Sequence, residues 1–297
     1  MQNKIKRLKS GRSVVCPDNP EDYITLDYKI MKKLFTLSIF VFFCLSANVA
    51  QSLHIKDKSL PCLDKKFSIV AHIVRDSFGE LGMLPENIYE NVDTLNAYFA
   101  PICLSFEVCD IRIIDNFQYN ILEQFNLWEE MKVKYHQKNH INVFFVRNIY
   151  WVPLECGYTD LGSIDNVEDD GIIIKKGCTQ PTAKSLTHEM GHYFGLLDTY
   201  QDDNIELVNG DNCETEGDLL CDTPADPFSP GDSLVQYLSL EETCRFIYLQ
   251  TDANGAYYIP DTGNIMSHYP DFCKCGFTYQ QYFRMAENYW NSGRQMW

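Results

Sequence analysis

Apolar positions recur along this chain in two distinct periods. Phe67–Arg75, reading FSIVAHIVR, is apolar and rich in β-branched residues, and predicts an inner strand. In Asn87–Phe99 the residues Ile88, Val92, Leu95 and Phe99 fall three or four apart, which predicts an amphipathic helix packed on that strand. Ile102–Ile114 alternates well enough for a second strand, Ile141–Ile149 (INVFFVRNI) is a strongly apolar third, and Gly171–Lys175 (GIIIK) is a short fourth. Thr182–Gly195 carries a further helix. Beyond it regular signals are few, so the pattern predicts an α/β (α+β) fold in which alternating strands and helices give way to an irregular half. No internal repeat or low-complexity segment interrupts it. The fourth strand is expected at a sheet edge, where an extended peptide adds itself by main-chain hydrogen bonds.

The first fifty residues stand apart from that pattern. From Met31 the chain reads MKKLFTLSIFVFFCLSANVAQS: two lysines, an apolar run, then small and polar residues, the layout of a secretory signal peptide. The run is too short to span a membrane, and Phe43 before Cys44 is not the small residue a lipid-anchored precursor wants. The expected organisation is therefore an extension over 1–30, with Met31 a candidate initiator, a signal peptide over 31–52 and a lead segment over 53–66. A catalytic domain follows over 67–297, divided at 195. The mature protein is expected to be secreted or periplasmic, monomeric and outside the membrane.

Charge narrows the partners. Eight of the 25 basic and four of the 41 acidic side chains lie in the first fifty residues, leaving 17 against 37 beyond them. Such an excess of negative charge repels nucleic acid and anionic membranes and suits a soluble exported protein. Ten of the twelve cysteines lie beyond residue 50. Their even number, behind an export signal, favours disulfides over free thiols or a cysteine-held zinc. Cys273 and Cys275 are too close to pair with each other and are expected to tie separate loops. Cys62, ahead of the first strand, reads as a plain disulfide rather than a latency switch.

The chemistry sits in HEMGHYFGLLD, residues 188–198. Positions four apart share a helix face, so His188 and His192 can aim at one metal, with Glu189 one step round and directed to a bound water. Zinc would lower the pKa of that water, and the carboxylate would take its proton as it attacks a polarised carbonyl. Gly195, three past His192, ends the helix in a left-handed turn, which swings residue 198 back towards the metal. Met266, in NIMSHYP, supplies the downstream methionine turn that such sites use.

Taken together, LTHEMGHYFGLLDTY, NGDNCETEGDLLCDTPADP, NIMSHYP and FTYQQYFRM resemble the pappalysin family of metzincin zinc metalloendopeptidases, especially its small secreted microbial members. HIVRDS and INVFFV extend the likeness over most of Phe67–Met285. The resemblance implies a metzincin catalytic domain: a twisted sheet with two long helices, a disulfide-tied lower part made of loops, one catalytic zinc in the cleft between them, and often structural calcium. Carried over by position, His188 and His192 are zinc ligands, Glu189 is the general base and Met266 the Met-turn residue. Cys213, Cys244 and Cys273 fall where the family forms disulfides. Asp211, Asp218, Asp222 and Asp226 lie in a segment like the family's calcium-associated loop, or in a solvated acidic loop.

Two positions depart from the family. Asp198 stands where a third histidine is usual, and His268, followed by Tyr269, stands where a tyrosine is. Aspartate oxygen is a legitimate zinc ligand, which favours Asp198 over Glu214 or Glu216, neither of which lies in a helical pattern. A hydrogen bond to the tetrahedral oxyanion is assigned to His268 or Tyr269, with the choice open. The expected function is a secreted zinc endopeptidase acting on protein or peptide substrates. Its rival is a secreted binding protein on the same fold that has lost turnover.

Overall fold

The computed structural model describes residues 59–166, 168–201, 205–239 and 244–296. The extension, the signal peptide and the start of the lead segment lie outside the described residues.

In chain order the elements are β1 (Lys65–Val74), α1 (Glu86–Phe99), β2 (Leu104–Ile114), β3 (Ile121–Leu122), α2 (Phe125–Tyr135), β4 (Ile141–Val146), β5 (Asn148–Ile149), β6 (Gly157–Thr159), β7 (Ile172–Lys175), α3 (Ser185–Tyr193) and α4 (Tyr279–Asn291). Five strands form one sheet in the order β2-β1-β4-β7-β6, and β3 and β5 pair separately. Within the large sheet β1, β2, β4 and β7 run parallel, and β6 alone is antiparallel. The fold is thus mixed α/β with a mostly parallel sheet, as the apolar pattern implies.

Parallel strands are covered on both faces and so read as continuous apolar runs. β4 (INVFFV) and β7 (IIIK) are buried at every position. That same rule corrects the expected edge: β7 lies inside the sheet, because β6 pairs with it through Gly157↔Ile174, Tyr158↔Ile173 and Thr159↔Ile172. The edge strand on this side is β6, three residues too short to read from sequence.

The described chain divides into two compact units, one running to Leu197 and resuming at Gly276, the other spanning Asp198–Cys275. The division placed at residue 195 by the sequence therefore falls two residues later, and the closing stretch rejoins the first unit. The reason lies in α4. A capping box of Thr278 and Gln281 starts it, and it buries Tyr282, Met285, Ala286 and Tyr289. Tyr282 then donates to the Tyr98 carbonyl at 2.8 Å, and Asn288 donates to the Phe194 carbonyl at 2.7 Å.

The Asp198–Cys275 unit has little regular structure beyond a 3-10 turn at Leu234–Gln236 and the bridges Leu238↔Phe246 and Thr251↔Tyr257. An aromatic cluster of Tyr200, Phe228, Tyr237 and Tyr269 forms its core, with the disulfides Cys213–Cys221 and Cys244–Cys273. The first unit carries Cys62–Cys103 and Cys156–Cys178. Cys62 is thus a plain disulfide partner. The even cysteine count misleads in one respect: Cys109, exposed, and Cys275, buried, are unpaired.

Candidate metal centre

The centre is built on α3. Most of this helix is buried, including Leu186, Thr187, Glu189, Met190 and Tyr193, while His188 and His192 are half-buried on one face. The helix stops because Gly195 takes φ +84°. Leu196 N–H donates to the Gly191 carbonyl at 2.9 Å and Gly195 N–H to the His192 carbonyl at 2.8 Å, the paired bonds of a Schellman ending. A side chain at 195 would collide as well as strain the backbone, since a Cβ would lie 2.3 Å from Asn288 Nδ2.

The same turn orients the His192 ring. The Leu196 carbonyl lies 2.8 Å from His192 Nδ1. A carbonyl can only accept, so Nδ1 carries a proton, and whenever the ring is neutral Nε2 is left in its acceptor form, the tautomer a metal requires. Nε2 of His192 and Nε2 of His188 are 3.1 Å apart. Three residues past Gly195 the chain presents Asp198, and one ligand atom from each of His188, His192 and Asp198 lies within 4.8 Å of the others. Two imidazole nitrogens and a carboxylate oxygen suit zinc, which accepts this donor set with a position left for water. Among the described residues this is the one such group, so neither Glu214, Glu216 nor the acidic loop assembles a second.

Glu189 is buried, with 4% of its surface exposed. Its Oε2 accepts from Thr159 Oγ1 at 2.9 Å. Gly157, two residues earlier on β6, leaves room for it: a Cβ there would sit 2.8 Å from Glu189 Cγ and Oε1. Neither contact is legible in the sequence, because the strand is three residues long and lies some thirty positions upstream.

In the Asp198–Cys275 unit, Met266 is fully buried in a tight turn closed by Asn264, whose side chain accepts from Met266 N–H at 2.9 Å. The Met266 carbonyl in turn accepts from Thr199 N–H at 3.1 Å, which ties the turn to the residue after Asp198. Asp226 fastens the same two segments: Thr199 Oγ1 and Tyr269 Oη each donate to it at 2.8 Å. Burial pushes its carboxyl up to about 6 against those hydrogen bonds. Tyr269 is therefore buried and its hydroxyl is engaged by Asp226. His268 is half-buried and stacks on Phe228 at 4.3 Å.

Asp218 Oδ1 accepts from Leu220 N–H at 3.0 Å, and Asp211 accepts from the Asn209 side chain at 2.7 Å. Asp222 is half-buried.

No family model matches the chain, and no curated protein matches it. Among solved structures it is similar to a metalloproteinase, metalloproteinase-II from Bacteroides fragilis, with 12% identity and a TM-score of 0.35 over 51% of this chain and 46% of that one. It is also similar to mirolysin in complex with compound 9, with 16% identity and a TM-score of 0.48 over 77% of this chain and 91% of that one. Both likenesses are distant, and the chemistry rests on the residues of this chain.

Proposed function

We propose that the protein is a secreted zinc-dependent endopeptidase of the metzincin type, with the pappalysins as its relatives and His188, His192 and Asp198 as metal ligands. The observation that carries this reading is the convergence of those three residues beyond a glycine-terminated helix that also holds a buried glutamate. A protein that only bound its partners would have no chemical use for that carboxylate.

When bound, zinc supplies a Lewis acid that polarises the scissile carbonyl and eases ionisation of water. Glu189 takes a proton from the attacking water as its oxygen bonds to the carbonyl carbon, and returns it to the nitrogen as the C–N bond breaks. An acid and an amine result. His268 is assigned the hydrogen bond to the oxyanion, since the Tyr269 hydroxyl is held by Asp226. The substrate, an extended peptide, pairs with the outer edge of β6, not β7. Structural calcium finds no support in the geometry of the acidic loop and is left out of the assignment.

The test is cleavage of unlabelled casein or gelatin, read by gel, beside metal analysis of the purified protein. One zinc per chain, cleavage abolished by chelation and by Glu189→Ala, and loss of zinc in Asp198→Ala are expected. Full zinc occupancy and activity in Asp198→Ala would remove Asp198 from the ligand set. Stoichiometric zinc without cleavage would favour the binding protein instead.

A further inference from the structure

A general base must point, and the torsions of a glutamate do not fix where its oxygens lie. Misplacement of a reacting group by about 1 Å can cost on the order of a hundredfold in rate. Something must therefore hold the Glu189 carboxylate, and the residues that do so lie on β6.

Successive side chains of a strand point to opposite faces. Gly157 and Thr159 thus share the face turned to α3, while Tyr158 faces the other way, packing edge-on to Phe125 and Trp151. The α3 face carries two features, each matched to the glutamate. At Gly157 a missing side chain opens the space into which Glu189 Cγ and Oε1 enter. At Thr159 a hydroxyl with 7% of its residue exposed donates to Oε2 at 2.9 Å.

We propose that β6 is the positioning element of the general base, with Gly157 providing the space for the Glu189 carboxylate and Thr159 fixing its direction. The inference rests on the endopeptidase reading for its kinetic consequence, but the contact itself does not depend on it. If substrate pairs with the outer edge of β6, one three-residue strand both receives the scissile peptide and aims the base. A substrate that distorts the strand then loses turnover as well as affinity.

A hydroxyl that merely satisfies its own burial would predict different behaviour, and two measurements on the full zinc-loaded chain separate the cases. In steady-state kinetics, Thr159→Val is expected to lower kcat about tenfold, a fraction of the misplacement cost, with KM within twofold and zinc content unchanged. Thr159→Ser, which keeps the hydroxyl, is expected to recover kcat to within threefold. An unchanged kcat in Thr159→Val, or a serine variant as slow as the valine one, overturns the proposal.

The second measurement needs no activity. In a double-mutant cycle read by thermal unfolding, the Tm shifts of Thr159→Val and Glu189→Ala are expected to be non-additive, because each removes the same bond. Additive shifts refute the contact. A wild type that cleaves nothing refutes the endopeptidase reading and the kinetic role with it, while the cycle still decides the contact, so the two failures are told apart.

Discussion

The two units solve the problem of buried charge in opposite ways. The sheet unit buries cations and a histidine. Lys176 gives its ammonium to the Val74 carbonyl and Asn120, and burial brings it down to about 8. His72, stacked on Phe144 and bonded to Asn142, is pushed down to about 4, again by burial. The Asp198–Cys275 unit buries acids. It carries sixteen acidic side chains against two basic ones, so cations within it are too few to pair them. Donors must come from hydroxyls and backbone N–H groups, as at Asp226 and at Asp252, which accepts from Val208, Asn254 and Ala256. One unit is held by apolar strands and a few satisfied cations, the other by disulfides and carboxylates wrapped in donors. Regular secondary structure is not needed for a defined core, provided that crosslinks and polar satisfaction replace it.

The largest effect is expected where the sheet unit departs from its own rule. Asp170, 1% exposed, is a carboxylate buried there among strong donors: Arg294 Nη2, Tyr193 Oη and His136 Nε2 each lie 2.6 Å from its oxygens. Arg294→Met is expected to destabilise the protein by about 3–5 kcal/mol in denaturant unfolding, because it strips the cation from a buried charge. Adding Asp170→Leu should recover part of that loss. A loss below about 1 kcal/mol would show that the remaining donors suffice.

A smaller effect is expected from the crosslinks. Replacing Cys244 and Cys273 by alanine opens a loop spanning 29 residues and should cost about 2–4 kcal/mol. Limited proteolysis of that variant should cut within 198–275 before it cuts the sheet. Cleavage of both units together would break the contrast between them.

The smallest effect tests charge directly. Burial, reinforced by Asp218 and Asp226, raises Glu206 from its ordinary 4.5 to about 8. Between those values the unfolded chain releases a proton that the folded chain keeps, so stability falls as pH rises towards 8. For His72 the sign reverses: as pH falls from 6.5 through about 4, the unfolded chain takes up a proton that the folded chain refuses, and stability is lost on the acid side. Tm measured against pH should therefore flatten on the alkaline side in Glu206→Gln and on the acid side in His72→Gln. The same flattening in both variants would mean that the two groups do not titrate as their surroundings imply.

Legibility in the sequence followed the same divide. β1, α1, β4 and α3 could be read because apolar periodicity decides them. α2 could not: it faces the core with Trp128 and Met131 but also with Lys132, which is buried by pairing to Glu129 and Asp160, so a charge occupies an apolar position. α4 announced itself only as a motif, although its capping box was present in FTYQQ. The place of Asp198 beside the two histidines was legible because Gly195 and the spacing around it are local. The contacts of Thr159 and Asp226 were not, since they form across thirty and more residues, which no single stretch displays. Disulfide partners were hidden for the same reason.

The Schellman ending of α3 has a consequence in time. Its Phe194 carbonyl is capped by Asn288, and the Tyr193 hydroxyl shares Asp170 with Arg294. Synthesis delivers the histidines about a hundred residues before these partners, at a rate of roughly 5–20 residues per second. For several seconds a nascent chain holds His188, His192 and Asp198 without the distant contacts that brace their turn. The order of residues along the chain thus leaves the turn uncapped until Asn288 and Arg294 have been made.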